Sequence, residues 1–171
     1  MHKYSKYWNT YYEVNKSPAF PSNFAKFCKK KILKANSKIL EIGSGNGRDA
    51  LYFSKYVSHV TCMDRSKNAI DIINKIKIKK EIANIVSING DVKNLNKILN
   101  LDNYDIIYMR WFLHSIELSK ENYLLKLLSN LSKNKPIIAI EARTSEDNIK
   151  KNKNTKKISN LELVSNGNHY R

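Results

Sequence analysis

The sequence is poor in the residues that build disulfide scaffolds, membrane spans and flexible linkers. Its 171 residues include two cysteines, three prolines and five glycines. No run of about 18 apolar residues predicts a transmembrane helix, and the N-terminal segment lacks the apolar stretch of a secretory signal. Cys28 and Cys62 make neither a disulfide framework nor a zinc site, so we expect a reducing, cytoplasmic location. No cluster of metal-ligating residues has a suitable spacing, which predicts a protein without a metal.

Arginine is also scarce, although the protein is strongly basic. Five arginines stand against 26 lysines, and the formal net charge is +16. Such a charge is found in nucleic-acid-binding proteins. However, the abundant lysine and the 22 asparagines beside so little glycine are typical of a genome-wide codon bias. We therefore favour lysines on solvated helix faces, and a nucleic-acid partner is the less favoured interpretation.

Short apolar segments alternate with helix-like segments from residue 38 onward. The predicted strands cover residues 39–42, 60–64, 85–88, 104–109 and 136–141. The predicted helices cover residues 22–33, 49–57, 66–79 and 118–131. Strands that alternate with helices indicate an α/β protein whose parallel sheet is covered on both faces.

The two ends of the chain differ from this pattern. Residues 4–12 contain five aromatic residues, which need an apolar surface to pack on. We expect residues 1–36 to form an aromatic cap and a helix, residues 37–145 a core, and residues 146–171 a shortened C-terminal segment. Within the last part, the lysine-rich stretch 146–157 predicts a loop, and residues 158–164 predict one strand or a short helix.

A glycine-rich loop carries the strongest chemical signal. Gly43, Gly45 and Gly47 follow a predicted buried strand and precede a helix, and glycine lets the backbone turn sharply and approach a ligand. Asp64 ends the second strand, where a carboxylate can accept both hydroxyls of a ribose. Together these features predict a nucleoside site. Arg48 stands where the dinucleotide fingerprint needs its third glycine, which argues against NAD without excluding it.

At this point the segment LEIGSGNGRD, residues 40–49, resembles the first motif of the class I S-adenosylmethionine-dependent methyltransferases. The resemblance extends over residues 1–145 and implies a doubly wound Rossmann-like sheet, with S-adenosylmethionine as cofactor and S-adenosylhomocysteine as product. It implies that the glycine loop wraps the methionine end, that Asp64 holds the ribose, and that Asp91 with Val92 holds the adenine. The predicted cofactor site also includes Glu41, Ser44, Asp49, Arg65, Met109 and Arg110.

A narrower resemblance concerns the acceptor. The segments YWNTYY, SPAFPSNFAKF, GNGRD, MRWFLHSI and NGNHYR together resemble small bacterial methyltransferases encoded among surface-polysaccharide genes, including those that modify capsular phosphoramidate groups. This resemblance implies methyl transfer to an oxygen of a small, anionic metabolite or of a sugar-linked precursor.

Candidate acceptor residues follow from where they stand relative to the strands. Arg110 and Arg143 follow the fourth and fifth predicted strands, and ligands of such sheets bind beyond the carboxyl ends of the strands. Since arginine binds anions in a bidentate way, we expect these arginines to bind the acceptor. The alternative is a structural ion pair with Glu141, Asp49 or Glu146. The predicted acceptor site comprises Tyr7, Trp8, Tyr11, Tyr12, Trp111, His114, Arg143, His169 and Arg171.

Two of these candidates have open alternatives. His114 is predicted to act with Arg110 in catalysis, as a general base toward a hydroxyl, because its ordinary pKa lies near neutrality; otherwise it orders its own loop. The aromatic residues of the N-terminal segment form either a lid over the site or a helix packed on the sheet edge.

The C-terminal part departs from the family pattern of seven strands with a closing hairpin. We expect that hairpin to be missing, so that the chain is a truncated relative, a fragment, or one completed by a homodimer. Other functions stay open: an RNA methyltransferase, a non-catalytic cofactor-binding module with an active partner, and a dinucleotide oxidoreductase. Base methylation is disfavoured because MRWF stands where an Asn/Asp-Pro-Pro-aromatic run is expected.

Overall fold

The computed structural model describes residues 3–131, 136–142, 155–158 and 161–164. Its helices are α1 Lys3–Val14, α2 Asn23–Lys31, α3 Arg48–Phe53, α4 Lys67–Lys79, α5 Leu95–Ile98 and α6 Leu118–Ser129. Its strands are β1 Lys38–Ile42, β2 His59–Asp64, β3 Ile85–Asn89, β4 Ile106–Arg110, β5 Ile137–Glu141, β6 Thr155–Ile158 and β7 Leu161–Val164. Three 3₁₀ turns lie at Val92–Asn94, Leu101–Asn103 and Leu113–Ser115.

Five strands form one parallel sheet in the order β3-β2-β1-β4-β5. The chain winds outward in one direction from β1 to β3 and in the other direction from β4 to β5, so the winding reverses between β1 and β4. Ligands of doubly wound sheets bind at this switch point, beyond the carboxyl ends of the strands. The observed order confirms the predicted doubly wound fold.

Apolar side chains fill both faces of the sheet. One core cluster includes the fully buried Phe53, Ile73 and Tyr108, and the other includes Leu40 and Leu124. Because the central strands β1, β2 and β4 are buried on both faces, their residues are mostly apolar, as is typical of parallel strands. The structure thus explains the isoleucine-rich runs of the sequence.

Two serines begin helices as the sequence predicts. The Ser22 hydroxyl accepts a hydrogen bond from the Ala25 N–H at 2.9 Å, and the Ser66 hydroxyl accepts one from the Ala69 N–H at 3.2 Å. Such caps satisfy donors that the first helical turn leaves unpaired. The predicted helix 49–57, by contrast, is shorter, because the chain passes after Phe53 into tight turns.

The C-terminal segment differs from the expectation. Thr155–Ile158 and Leu161–Val164 pair as antiparallel strands, with Ile158 opposite Leu161, and form a separate two-stranded sheet. The segment 158–164 thus contains one strand, β7, together with the last residue of β6. Among the described residues this pair is not hydrogen-bonded to the five-stranded sheet, so it does not contradict the expected lack of a hairpin that closes the sheet edge. The predicted loop 146–157 was wrong at its end, where β6 begins.

Strand β5 is an edge of the main sheet within the part of the chain that the structure describes. Its isoleucines Ile137, Ile138 and Ile140 are between 38% and 50% exposed. Across the same described ranges, no helix is both long enough and apolar enough to cross a membrane.

Candidate functional site

A cavity of about 440 Å³ opens beyond the carboxyl ends of β1, β2 and β4. Its wall is formed by the loop after β1, the ends of β2 and β3, the connection from β4 into the first turn of α6, helix α1, and residues 15–19 after that helix. Its size falls within the range of small-molecule sites. The predicted site residues that line it are Trp8, Tyr11, Tyr12, Glu41, Gly43, Ser44, Gly45, Asp49, Asp64, Arg65, Asp91, Val92, Arg110 and Trp111.

The glycine loop is held on the end of β2. The N–H groups of Gly43 and Ser44 donate to the Met63 carbonyl at 2.8 and 3.1 Å. Gly45 adopts a φ of 54°, and a Cβ there would collide with the Tyr12 hydroxyl. Glycine is therefore required here for the left-handed backbone and for the close approach of a side chain.

Gly47 does not line the cavity, although it was predicted to bind the cofactor. It begins α3 with a φ of 81°, and a Cβ there would lie 2.6 Å from the Ile73 side chain of α4. Its lack of a side chain lets α3 pack closely against α4.

Asp64 connects the glycine loop to the end of β2. Its Oδ2 accepts a hydrogen bond from the Gly45 N–H at 2.8 Å, and its Oδ1 accepts one from the Ser66 N–H at 2.8 Å. Burial raises the pKa of Asp64 above its ordinary value, and the N–H donors and Arg65 oppose this rise. Asp64 thus lies in the cavity wall with an orientation fixed by the backbone.

Glu41 places an unpaired acceptor at the same wall. Its side chain is 4% exposed, and among the described residues its Oε2 has no hydrogen-bond partner. Burial raises the pKa of Glu41 well above its ordinary value, Asp49 raises it further, and Arg48 opposes the rise. A buried oxygen without a partner is costly, so it is complementary to an N–H donor of a ligand.

Asp49 is occupied by partners within the protein. Its Oδ1 accepts from the Ser22 N–H at 2.9 Å, and its Oδ2 accepts from the hydroxyls of Ser22 and Tyr108 at 2.7 and 2.8 Å. The Nε of Arg48 lies 3.4 Å from Oδ1. Asp49 therefore ties the start of α2 to α3 and β4 at the edge of the cavity.

Asp91 and Lys120 form an ion pair that the sequence did not reveal. Lys120 on α6 is 4% exposed, and its Nζ donates to Asp91 Oδ2 at 2.7 Å. The Lys93 N–H donates to the other oxygen at 3.0 Å. Burial alone would raise the pKa of Asp91, but these two donors and Arg65 lower it overall. Both partners of the pair line the cavity.

Arg110 makes the ion pair that was the alternative to anion binding. Its Nε lies 2.5 Å from Glu141 Oε2, and its guanidinium carbon lies 3.7 Å from the centre of the Trp111 ring. Trp111 has a φ of 53°, a strained value for a bulky side chain. Arg110 therefore reaches the cavity wall with its charge already matched by Glu141.

Helix α1 covers the glycine-loop side of the cavity. Its Asn9 side chain accepts from the Ser66 hydroxyl at 2.8 Å, and its backbone carbonyl accepts from Asn68 at 3.0 Å. Both partners lie at the start of α4. The hydrogen bonds described for α1 are therefore with α4, whereas the alternative interpretation placed this helix on the sheet edge. Tyr7 packs against Trp8, with ring centres 5.1 Å apart, and does not line the cavity.

His114 and Met109 are buried and do not line the cavity either. The wall near His114 is made by its neighbours Phe112, Ser115 and Ile116. The structure therefore does not bring the predicted base to the cavity surface. Arg143, His169 and Arg171 lie outside the described residues. In the described ranges, no group of three or more His, Cys, Asp or Glu residues could hold a metal ion.

The sheet order and the loop, with acidic residues at the ends of β1, β2 and β3, define the chain as a Rossmann-like nucleoside-binding domain of the methyltransferase type. A family model described as a methyltransferase domain matches residues 33–169, most of the chain. The chain therefore belongs to the methyltransferase-domain family. This confirms the predicted class and, with it, S-adenosylmethionine as the cofactor.

Relatives agree with this assignment. The uncharacterized methyltransferase YcgJ of Bacillus subtilis (strain 168) is 30% identical over 81 residues, which are 47% of this chain and 31% of that protein. The chain thus spans about a third of this curated relative.

Solved structures share the fold. A SAM-dependent methyltransferase from Aquifex aeolicus has a TM-score of 0.62 at 20% identity, over 81% of this chain and 74% of that one. The phosphoethanolamine N-methyltransferase 1 of Haemonchus contortus, in complex with phosphoethanolamine and S-adenosylhomocysteine, has a TM-score of 0.69 at 15% identity. That match covers 98% of this chain and 37% of the other.

The residues of the cavity fit S-adenosylmethionine chemically. The free Oε2 of Glu41 suits the ammonium group of the methionine end, and Asp64 retains acceptor capacity for ribose hydroxyls. Asp91 presents an ionised carboxylate beside the apolar Val92 for an adenine ring and its amino group. These donor and acceptor sets match the three parts of the cofactor.

Proposed function

We propose that the chain catalyses methyl transfer from S-adenosylmethionine to a small-molecule acceptor in the cytoplasm. The observation that carries the proposal is the free Oε2 of Glu41 in the same cavity wall as the Asp64–Gly45 hydrogen bond. A ligand with an amino end and a ribose satisfies both features. S-adenosylmethionine supplies a methyl group that is already activated by its sulfonium charge.

In this proposal each part of the cavity has a role toward the cofactor. Glu41 binds the ammonium group, Asp64 the ribose, and Asp91 with Val92 the adenine. Further contacts are proposed for the loop residues Gly43, Ser44 and Gly45, and for Arg65 and Arg110. Gly47 and Met109 act from behind the wall, whereas Asp49 lines the cavity and is held there by its contacts with Ser22 and Tyr108.

The protein contributes positioning and the exclusion of water. Orientation of two reactants can supply roughly 7–11 kcal/mol in favourable cases. Trp8, Tyr11 and Tyr12 line the cavity from α1, and the hydrogen bonds of Asn9 to Ser66 and Asn68 hold that helix over the loop. We infer that α1 acts as the lid of the site. The segment 1–36 is then the cap of a core formed by residues 37–145, with residues 146–171 as a separate C-terminal segment.

For the acceptor, we propose an oxygen of a small anionic metabolite or of a sugar-linked precursor of a surface polysaccharide. Four basic and four acidic side chains line the cavity, so the proposal of a negatively charged acceptor rests on Arg110, which stands at the end of β4. Arg110 is 13% exposed and paired with Glu141, so an anion would share or displace that partner. Arg143, His169 and Arg171 complete the proposed acceptor site, with the homodimer as the proposed assembly.

The need for a base depends on the acceptor. An anionic oxygen is already nucleophilic, whereas a neutral hydroxyl needs a proton acceptor. His114 serves in the second case only, after a shift of the turn Leu113–Ser115 brings it past Phe112. The substitution His114→Gln should then slow transfer to neutral acceptors and leave transfer to anionic acceptors unchanged.

Calorimetric titration is the first test. We expect S-adenosylmethionine and S-adenosylhomocysteine to bind the purified chain, and Asp64→Ala to abolish binding. Asp71→Ala is a matched control, because Asp71 lies on the exposed side of α4 and pairs with Lys67. Absence of binding to the wild-type chain would overturn the proposal.

Turnover is tested separately, with methyl-labelled cofactor and a panel of phosphorylated sugars, neutral sugars and RNA. Transfer to phosphorylated sugars is the expected result. Cofactor binding without any transfer would instead indicate the non-catalytic module. Transfer to RNA that falls steeply with salt would indicate a nucleic-acid substrate.

A further inference from the structure

Lys120 is the one buried lysine among those whose side chains the structure describes. It lies in the first turn of α6, and its Nζ is 2.7 Å from Asp91 Oδ2. A buried ammonium group is costly unless it is paired and hydrogen-bonded. The chain is rich in lysine, and a lysine on the surface needs no partner. The burial of Lys120 therefore calls for a specific explanation.

The pair fixes the orientation of the Asp91 carboxylate from two sides. The Lys93 N–H binds Oδ1 at 3.0 Å, and Lys120 binds Oδ2 at 2.7 Å. Each carboxylate oxygen can accept two hydrogen bonds, so each retains capacity toward the cavity. Asp91 is 33% exposed and lines that cavity. The carboxylate is thus held by the protein on one side and open to a ligand on the other.

We propose that Lys120 is a positioning residue that holds Asp91 as an acceptor-only group, and that the pair selects a purine with an exocyclic amino group over one with a carbonyl at that position. The proposal rests on the proposed function, in which Asp91 faces the adenine of the cofactor. It assigns a role in cofactor selectivity to α6, a helix from which we had predicted no site residue.

The selectivity follows from hydrogen-bond chemistry. An ionised carboxylate accepts the N–H of a 6-amino purine and repels the carbonyl of a 6-oxo purine. A protonated carboxyl can donate its O–H to that carbonyl instead, so protonation removes the discrimination. The pKa of Asp91 is lowered although burial alone would raise it, and Lys120 provides the largest of the opposing contributions. Without Lys120, Oδ2 loses its donor from the protein, and the carboxylate is no longer held in the orientation that meets the amino group.

The test compares S-adenosylhomocysteine with S-inosylhomocysteine, which differ in this group. We expect the wild-type chain to bind the adenosyl compound at least about tenfold more tightly, since an unmatched polar group in a site costs that much or more. Lys120→Met should reduce this ratio several-fold, and Lys120→Arg should restore most of it. Lys126→Met, at an exposed position of the same helix, should leave the ratio unchanged.

A purely structural pair gives a different result. In that case Lys120→Met lowers the stability and weakens both ligands equally, with the ratio unchanged, and this outcome would overturn the proposal. If Lys120→Met does not fold, Lys120→Gln decides, because its neutral amide removes the charged donor to Asp91 and should also reduce the ratio. A wild-type ratio near one would overturn the proposal without any variant. No binding of S-adenosylhomocysteine at all would instead refute the proposed function.

Discussion

The hydroxyl group of Tyr12 lies against Gly45, in the space that a Cβ atom at position 45 would fill. Tyr12 belongs to α1 and Gly45 to the loop after β1, so this contact places the N-terminal helix over the glycine loop. Burial raises the pKa of Tyr12, and the nearby Asp64 raises it further, so the phenol stays protonated. A neutral hydroxyl can remain beside two acidic groups, Asp64 and Glu41, without repulsion.

Gly45→Ala should destabilise the protein and abolish cofactor binding. The left-handed backbone of residue 45 costs a residue with a side chain about 1–2 kcal/mol, and the added methyl group must displace Tyr12. We expect the free energy of unfolding to fall by at least this amount in urea titrations. In the double variant Tyr12→Ala/Gly45→Ala, the steric part of the lost unfolding free energy should be recovered, because the ring no longer collides with the added methyl group. The cost of the left-handed backbone should remain. Strictly additive effects in this double-mutant cycle would contradict the contact.

Tyr108→Phe should weaken the attachment of the N-terminal segment. It removes the hydroxyl that donates to Asp49 at 2.8 Å, which corresponds to about 1 kcal/mol of stability. We expect faster proteolysis of residues before α2 and unchanged affinity for S-adenosylhomocysteine. Tyr104→Phe is the matched control, because its buried hydroxyl donates to Thr61 instead. If Tyr108→Phe leaves the stability unchanged and weakens cofactor binding, Asp49 would act on the cofactor and not on the attachment of the N-terminal segment.

Glu41 should make the cofactor-free protein less stable as the pH rises. The folded-state pKa is raised, so the folded protein holds a proton that the unfolded chain releases above about pH 4.3. The stabilising contribution is complete below that pH and is lost as the pH rises through the folded-state pKa. Glu41→Gln resembles the protonated form, so the stability of this variant should depend less on pH. Urea titrations from about pH 4, near the ordinary carboxyl pKa, to about pH 9 measure this difference.

Glu13→Gln is the control for this measurement, since Glu13 is exposed on α1. A pH dependence unchanged in Glu41→Gln and altered in Glu13→Gln would contradict the assignment. Glu41→Gln should also weaken S-adenosylhomocysteine by about tenfold, because a neutral amide replaces a carboxylate that can ionise against an ammonium group.

Local signals in the sequence were enough to predict the fold, and most of the predicted site residues line the cavity. The glycine loop, Asp64 and the starts of the helices at Ser22 and Ser66 depend on neighbours close in the chain or in the next strand, so local sequence signals located them. The ion pair of Asp91 with Lys120 joins residues 29 positions apart. Its lysine looks, in sequence, like the other lysines of a helix face, and only the packing of α6 on the turn after β3 distinguishes it.

The sequence did not reveal the protein partners of a polar residue in the glycine motif. Asp49 stands in the glycine motif, which made it a cofactor candidate, yet Ser22 and Tyr108 bind it from 27 and 59 positions away. Strand β6 was missed for another reason: two lysines among its four residues weaken the apolar pattern by which strands are recognised.

Substitutions of Arg110 and Glu141 test whether the acceptor is anionic. Its guanidinium lies between the Glu141 carboxylate and the Trp111 ring, so a bound anion competes with Glu141. Glu141→Gln should therefore raise kcat/KM for phosphorylated sugars and leave neutral sugars unaffected. Arg110→Lys should lower kcat/KM for phosphorylated sugars by about tenfold or more, because lysine lacks the planar fork and the stacking. Titration of each variant with S-adenosylhomocysteine separates loss of cofactor from loss of acceptor. Equal losses with both kinds of sugar would make Arg110 a structural residue, since an ion pair that only holds β4 against β5 has no reason to distinguish acceptors by charge.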